Sequence, residues 1–149
     1  MKFITKLFDI DLSVFVPEMS KFLGSIRALL VILLLLGPIL LAGFGALYLF
    51  KPAPEANYRY GFKTYYGMGS IEAWQFSQRI AGMIFGGLGA VFLLAMTIVA
   101  LTFIGKDLFR IAGTVIICLL IQAVFILAAR ITIAILCRKY FDKNGDRRR

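Results

Sequence analysis

The sequence predicts an all-α integral membrane protein with three transmembrane helices, preceded by a short N-terminal interfacial amphipathic helix. Apolar residues make up 60% of the 149-residue chain. They concentrate in three long segments, at about 23–50, 81–103 and 111–136. Because an α-helix rises about 1.5 Å per residue, about 20 apolar residues cross the hydrocarbon core of a bilayer. Each segment is therefore long enough to span the membrane, and together they form one membrane domain, 23–136.

The segment 1–22 differs from the spans because lysines alternate with its apolar residues. Phe3, Leu7 and Ile10 fall on one face of a helix, with lysines beside them. This pattern is typical of a helix that lies in the membrane interface, and we expect Pro17 to interrupt it. A disordered tail is the alternative.

The first span contains Gly37-Pro38 near its middle and ends before Lys51-Pro52-Ala53-Pro54. Proline removes a backbone donor, so we expect a kink at Pro38 and a stop at the two later prolines. The loop 51–79 that follows is rich in tyrosine and glycine. Ser70 is placed to cap a helix that begins at Ile71, and Glu72 suits the positive end of that helix.

The second span carries a stripe of small residues at a spacing of four, formed by Gly82, Gly86 and Ala90. In lipid such a stripe lets helix backbones touch, so we expect it to pack against another helix; general tolerance of glycine in membrane helices is the alternative. A short turn at Gly105-Lys106-Asp107 predicts that the second and third spans form an antiparallel hairpin.

Two polar residues interrupt the third span. Gln122, in its middle, is expected to hydrogen-bond across helices. Arg130, near its end, either pairs with a polar group inside the bundle, which would mark a functional site, or extends to the membrane boundary.

The distribution of positive charge predicts the orientation in the membrane. The loop 51–79 and the C-terminal segment 137–149 share one side and hold ten basic residues, against six on the other side. Since basic residues favour the cytoplasm, we expect the loop and a basic, frayed C-terminal tail to be cytoplasmic and the N-terminus to be outside.

The most distinctive residues occur around the start of the second span. In order, the chain reads Asn57, Gly61-Phe62-Lys63-Thr64, Glu72-Ala73-Trp74 and Arg79-Ile80-Ala81-Gly82. This stretch resembles the SdpI family of bacterial membrane proteins, in which an Asn and a Gly-x-Arg-Thr turn precede a Glu-x-x-Trp-like helix start and then an Arg and a Gly. The chain departs from that pattern at Lys63, where the family has Arg, and at Tyr65, where Pro is usual. Lysine keeps the charge but loses the two-point guanidinium fork.

The resemblance implies a protein of the bacterial inner membrane that acts by protein or peptide contact, in immunity to a peptide toxin or in signalling with a repressor as partner. We call the stretch from Asn57 to Gly82 the matched stretch. The candidate partner- or anion-binding residues lie within it: Asn57, Gly61, Lys63, Thr64, Glu72, Trp74 and Arg79. The alternative for Trp74 is an interfacial anchor, and for Arg79 a side chain that extends to the membrane boundary.

The residue inventory argues against other functional classes. The chain has no histidine, only two cysteines, and no acidic residue within the three spans. We therefore expect no catalytic residues, no metal site, no cofactor and no nucleic-acid binding. Three helices alone enclose no large pathway, so we expect a homo-oligomer or a membrane protein partner. A structural subunit of a larger complex and an oligomeric transport component for small molecules or lipids remain the alternatives.

Overall fold

A computed structural model describes residues 12–55 and 60–148, with side chains from residue 19 onward. Three helices form it: α1 (Leu12–Phe50), α2 (Ile71–Leu101) and α3 (Leu108–Tyr140). A single turn of 3-10 helix, Tyr66–Met68, lies in the loop between α1 and α2. All three helices are long and apolar enough to cross a membrane, and the described residues include no β-strand. The prediction of an all-α, three-span membrane protein is therefore confirmed.

The N-terminal part of α1 differs from the sequence prediction. The expected interfacial helix falls mostly on residues 1–11, which lie outside the described residues. From Leu12 the chain already belongs to α1, and the helix continues through Pro17. The expected break at Pro17 is therefore wrong, since the fixed φ of proline is compatible with a helix and its cost there is one missing hydrogen bond.

Close backbone contact between α1 and α2 forms the centre of the bundle. Gly45 of α1 lies directly against Gly86 of α2, where a β-carbon on Gly45 would overlap the backbone nitrogen of Gly86. One turn away on α2, Gly82 lies against Leu49, and in the other direction Gly89 lies against Ala42 of α1. The small residues thus allow the two antiparallel helices of one chain to touch along their length.

The predicted stripe is correct at Gly82 and Gly86 in location, but its third member differs. Ala90 is exposed, and Gly89 makes the contact instead. A helix turn holds 3.6 residues, so a straight line of contact drifts away from a strict spacing of four.

The third helix closes the bundle through a polar contact at its middle. Gln122, which is 3% exposed, donates from Nε2 to the carbonyl oxygen of Leu34 in α1 at 3.3 Å. Pro38 has no N–H, so it leaves this carbonyl without its usual partner four residues along the helix. Gln122 supplies the missing donor, and α1 remains a continuous helix through the Gly37-Pro38 pair.

Helices α2 and α3 extend beyond the hydrocarbon core of a bilayer at the end away from the hairpin turn. Arg79 precedes the end of α2 by about 22 residues, and Arg130 follows the start of α3 by about 22, so both lie about 33 Å from the hairpin turn. At the turn itself, Arg27 of α1 donates to the carbonyl oxygen of Lys106 at 3.2 Å. Basic residues therefore mark two levels about as far apart as the hydrocarbon core is thick.

Candidate functional site

The residues of the matched stretch gather at the end of the bundle opposite the hairpin turn. The loop residues 51–55 and 60–70, together with the C-terminal residues 141–148, fold over the first two turns of α2 and the last turns of α3. We call this assembly the cap. Its interior is built by polar side chains of α2 that hydrogen-bond to loop backbone.

Trp74 lies in the interior of the cap rather than at the membrane interface. Its side chain is 0% exposed, and its indole Nε1 donates to the carbonyl oxygen of Ala53 at 2.6 Å. Gly61 packs against the ring with a φ of +132°, and a β-carbon there would lie 2.6 Å from the indole. Only glycine meets both demands, so Gly61 and Trp74 form a structural pair. Trp74 is thus neither an interfacial anchor nor an exposed binding residue.

Gln78 holds the loop by a two-point contact that the sequence analysis did not anticipate. Its Oε1 accepts from the backbone N–H of Phe62, and its Nε2 donates to the carbonyl oxygen of the same residue, both at 2.9 Å. Ser77 completes the network by donating to the carbonyl oxygen of Trp74 at 2.8 Å. The available signal was helical spacing, because Gln78 lies one turn after Trp74 on the same face of α2.

Thr64 connects the loop to the third helix. Its hydroxyl oxygen accepts from the backbone N–H of Gly67 at 3.1 Å, and Thr64 lines a surface groove together with Ile131 and Ala134 of α3. A β-carbon on Gly67 would lie 2.5 Å from that hydroxyl oxygen. Thr64 therefore orders a tight turn and positions it against α3.

The C-terminal tail is part of the cap, which corrects the expectation that it is frayed. Ser70 caps α2 as predicted, accepting from the backbone N–H of Ala73 at 3.1 Å, and its hydroxyl also donates to the carbonyl oxygen of Gly145 at 2.7 Å. Gly145 has a φ of +83° and packs against the backbone at Gly69.

Within the tail, Asp142 accepts two backbone N–H groups, from Asn144 and Asp146. These short-range bonds fold the segment into a turn that fits the start of α2.

The exposed charged residues do not form the single cluster that the sequence suggested. Arg79 follows Trp74 by five residues, which places it about 140° around the helix, so Trp74 faces inward and Arg79 outward. Glu72 is exposed and lies 3.7 Å from Arg147 of the tail. Lys63 and Arg130 are also exposed. The remaining predicted site residue, Asn57, lies outside the described residues.

Arg79 borders an open groove of about 550 Å³ between the ends of α1 and α2. The groove is mainly apolar, and its walls come from Tyr48, Leu49, Phe50, Pro52, Ala53, Pro54 and Gln75. Within the described part of the chain, Arg79 has no hydrogen-bond or ion-pair partner. Its side chain is exposed at the edge of the groove. We call this feature the Arg79 groove.

In the described part of the cap, the buried polar side chains are committed to hydrogen bonds within the protein. Every buried side-chain nitrogen or oxygen in the described residues has a hydrogen-bond partner. The same residues contain no group of three or more potential metal ligands. The buried part of the matched stretch therefore supports the fold, and its exposed polar side chains include Arg79 at the edge of the groove.

The fold and this site define a multi-pass membrane protein whose second helix begins in a hydrogen-bonded cap and whose free charges lie at the membrane boundary. The family model described as the SdpI/YfhL protein family matches residues 55–136, which is more than half of the chain. The chain belongs to the SdpI/YfhL family, as the matched stretch predicted. Neither a curated protein nor a solved structure matches the chain.

Proposed function

We propose that this protein acts in the bacterial inner membrane by binding a peptide or protein partner at the Arg79 groove, without catalysing a reaction. Its finer role would be immunity to a peptide toxin or signalling, as the resemblance to the SdpI family implies. The N-terminus would lie outside and the cap in the cytoplasm, following the distribution of basic residues.

The observation that carries the proposal is the exposed Arg79 guanidinium, which has no partner among the described residues and lies beside an apolar groove. Next to it, Trp74 and Gln78 hold the start of α2 against the loop by hydrogen bonds to Ala53 and Phe62. The groove is thus a fixed surface with one strong hydrogen-bonding group at its edge. An amphipathic segment with an acidic residue complements it, because the guanidinium binds a carboxylate through two parallel hydrogen bonds.

The runner-up is a structural subunit of a larger complex. The small-residue stripe gives it no support, because Gly82 and Gly86 pack against α1 of the same chain. A partner would instead meet α3, whose outward face carries exposed apolar residues such as Ile117, Leu120 and Val124. Lipid satisfies such a face equally well, so the Arg79 groove supports the leading proposal better.

The test compares three variants at equal abundance in native membranes. A photo-crosslinking amino acid at Gln75, on the wall of the groove, should form an adduct with a polypeptide. Arg79→Gln should abolish the adduct. Arg79→Lys should weaken it strongly, because one ammonium cannot replace the two-point fork. Arg110→Gln is the matched control, since it removes one exposed guanidinium at the opposite end of the bundle. Unchanged adducts in Arg79→Lys and Arg79→Gln would show that Arg79 is only a boundary anchor.

A further inference from the structure

A second cleft, unrelated to the cap, lies at the hairpin end of the bundle. It has a volume of about 480 Å³ and runs between α1 and the α2–α3 turn. Its lining is apolar apart from one guanidinium, and consists of Arg27, Ala28, Val31, Ile32, Ala100, Phe103, Ile104 and Ile111. This volume falls within the range of small-ligand sites in proteins. We call it the Arg27 cleft.

The position of the cleft places its polar end at a membrane boundary. Arg27 donates from Nη2 to the carbonyl oxygen of Lys106 at 3.2 Å, which fixes its guanidinium beside the turn. Arg79 marks the other boundary about 33 Å away along α2. From Arg27 the apolar lining continues along α1 toward the middle of the membrane through Val31 and Ile32. The cleft therefore has a polar end at headgroup depth and an apolar wall at acyl-chain depth.

Positive charge gathers at the polar end. Lys106 lies in the turn beside Arg27, and Arg110 follows in the first turn of α3. Asp107 offsets part of this charge, at 4.0 Å from Arg110. Arg27 donates one of its five N–H groups to the Lys106 carbonyl, so the other four can bind an anion.

The chemistry of the lining distinguishes a lipid from a peptide. A peptide backbone in an apolar cleft needs partners for its N–H and C=O groups. The lining residues of α1, α2 and α3 have their backbone groups in helices, and in the turn the N–H and C=O of Phe103 pair with Ala100 and Lys106. Among the described residues, Arg27 is the one polar side chain that lines the cleft. An acyl chain needs no such partners, and a phosphate pairs with a guanidinium in two-point fashion. We propose that the Arg27 cleft holds one anionic phospholipid, with its phosphate at Arg27 and an acyl chain along Val31, Ile32 and Phe103.

The test measures which lipid remains with the purified protein. The full chain is reconstituted in vesicles of equal parts phosphatidylglycerol and phosphatidylcholine, extracted in a mild detergent, and its retained lipids are counted by native mass spectrometry. The wild type should retain one phosphatidylglycerol in preference to phosphatidylcholine. Arg27→Gln should lower that preference about fivefold, the contribution of one basic residue near an anionic surface. Ala28→Phe should displace the lipid without any change in charge, because the ring fills the cleft.

Two controls make the result specific. Arg148→Gln removes one exposed charge on the tail and should leave lipid retention unchanged. The fluorescence of Trp74, buried at the far end, reports that each variant is folded. A lower preference for phosphatidylglycerol in Arg27→Gln, together with loss of the lipid in Ala28→Phe, supports the site. An unchanged preference in folded Arg27→Gln, retention in folded Ala28→Phe, or equal retention of the two lipids by the wild type overturns it.

Discussion

Gln122 in α3 supplies the hydrogen bond that Leu34 in α1 cannot form within its own helix. Pro38 carries no N–H, and the Gln122 amide donates to the free Leu34 carbonyl at 3.3 Å. Leu34 is 0% exposed, so no water or lipid headgroup reaches the site. Gly37 makes room for the amide, since a β-carbon there would lie 2.5 Å from Gln122 Oε1. A proline on one helix and a glutamine on another thus form one structural unit.

This relationship predicts that Gln122 and Pro38 are energetically coupled. Gln122→Leu should destabilise the fold by about 1 kcal/mol, because it leaves a buried carbonyl unpaired in an apolar bundle. In a Pro38→Ala background the new backbone N–H donates to the Leu34 carbonyl, so Gln122→Leu should cost clearly less. Reversible unfolding in detergent micelles over the four members of this double-mutant cycle gives the coupling. Additive effects of the two substitutions would contradict the assignment.

The contact between Gly45 and Gly86 predicts an asymmetric response to a single added methyl group. Gly45→Ala should destabilise the α1–α2 pair by about 1–3 kcal/mol, because the new carbon overlaps the backbone of Gly86. Gly86→Ala should be tolerated, since its nearest neighbour would lie at 3.8 Å. Gly43→Ala, with nothing within 4 Å, is the control on the same helix. Equal thermal stability of Gly45→Ala and Gly43→Ala would rule out the close approach.

The bond between Ser70 and the tail predicts that the tail detaches when that hydroxyl is removed. Ser70→Ala loses both the helix cap and the donor to the Gly145 carbonyl, at an expected cost of about 1 kcal/mol. Limited proteolysis should then cut the tail faster than in the wild type. Glu72→Gln is the control, because its exposed ion pair with Arg147 contributes little. Faster cutting in Glu72→Gln than in Ser70→Ala would mean that the tail is held by charge.

The orientation in the membrane remains a prediction that cysteine labelling can check. On a background with Cys118 and Cys137 replaced, Met68→Cys places an exposed thiol on the cap, and Lys106→Cys places one at the hairpin turn. With the cap in the cytoplasm, an impermeant reagent added to intact cells should label position 106 and spare position 68. The opposite pattern would reverse the orientation.

Several elements could be predicted from sequence because their causes are local. The three spans follow from apolar length, which alone decides whether a helix can cross a bilayer. The N-cap residue of α2, Ser70, follows from the preference of a helix N-terminus for a hydroxyl acceptor. Membership of the family could be predicted from residues at short, fixed spacings between Asn57 and Gly82. None of these needed knowledge of what lies across the bundle.

The roles of the same residues depended on the tertiary structure. Trp74 and Arg79 belong to one motif, yet one supports the cap and the other faces outward, because the direction of each side chain is set by how α2 rotates against its neighbours. The role of Gln78 depends on its contact with the backbone of Phe62. The order of the tail depends on the contact between Gly145 and Ser70. These contacts join residues far apart in the chain, and a linear pattern carries no information on which distant carbonyl will lack a partner. The sequence by itself determined the three apolar helices and the family. Packing decided which polar residues are internal supports and which are exposed.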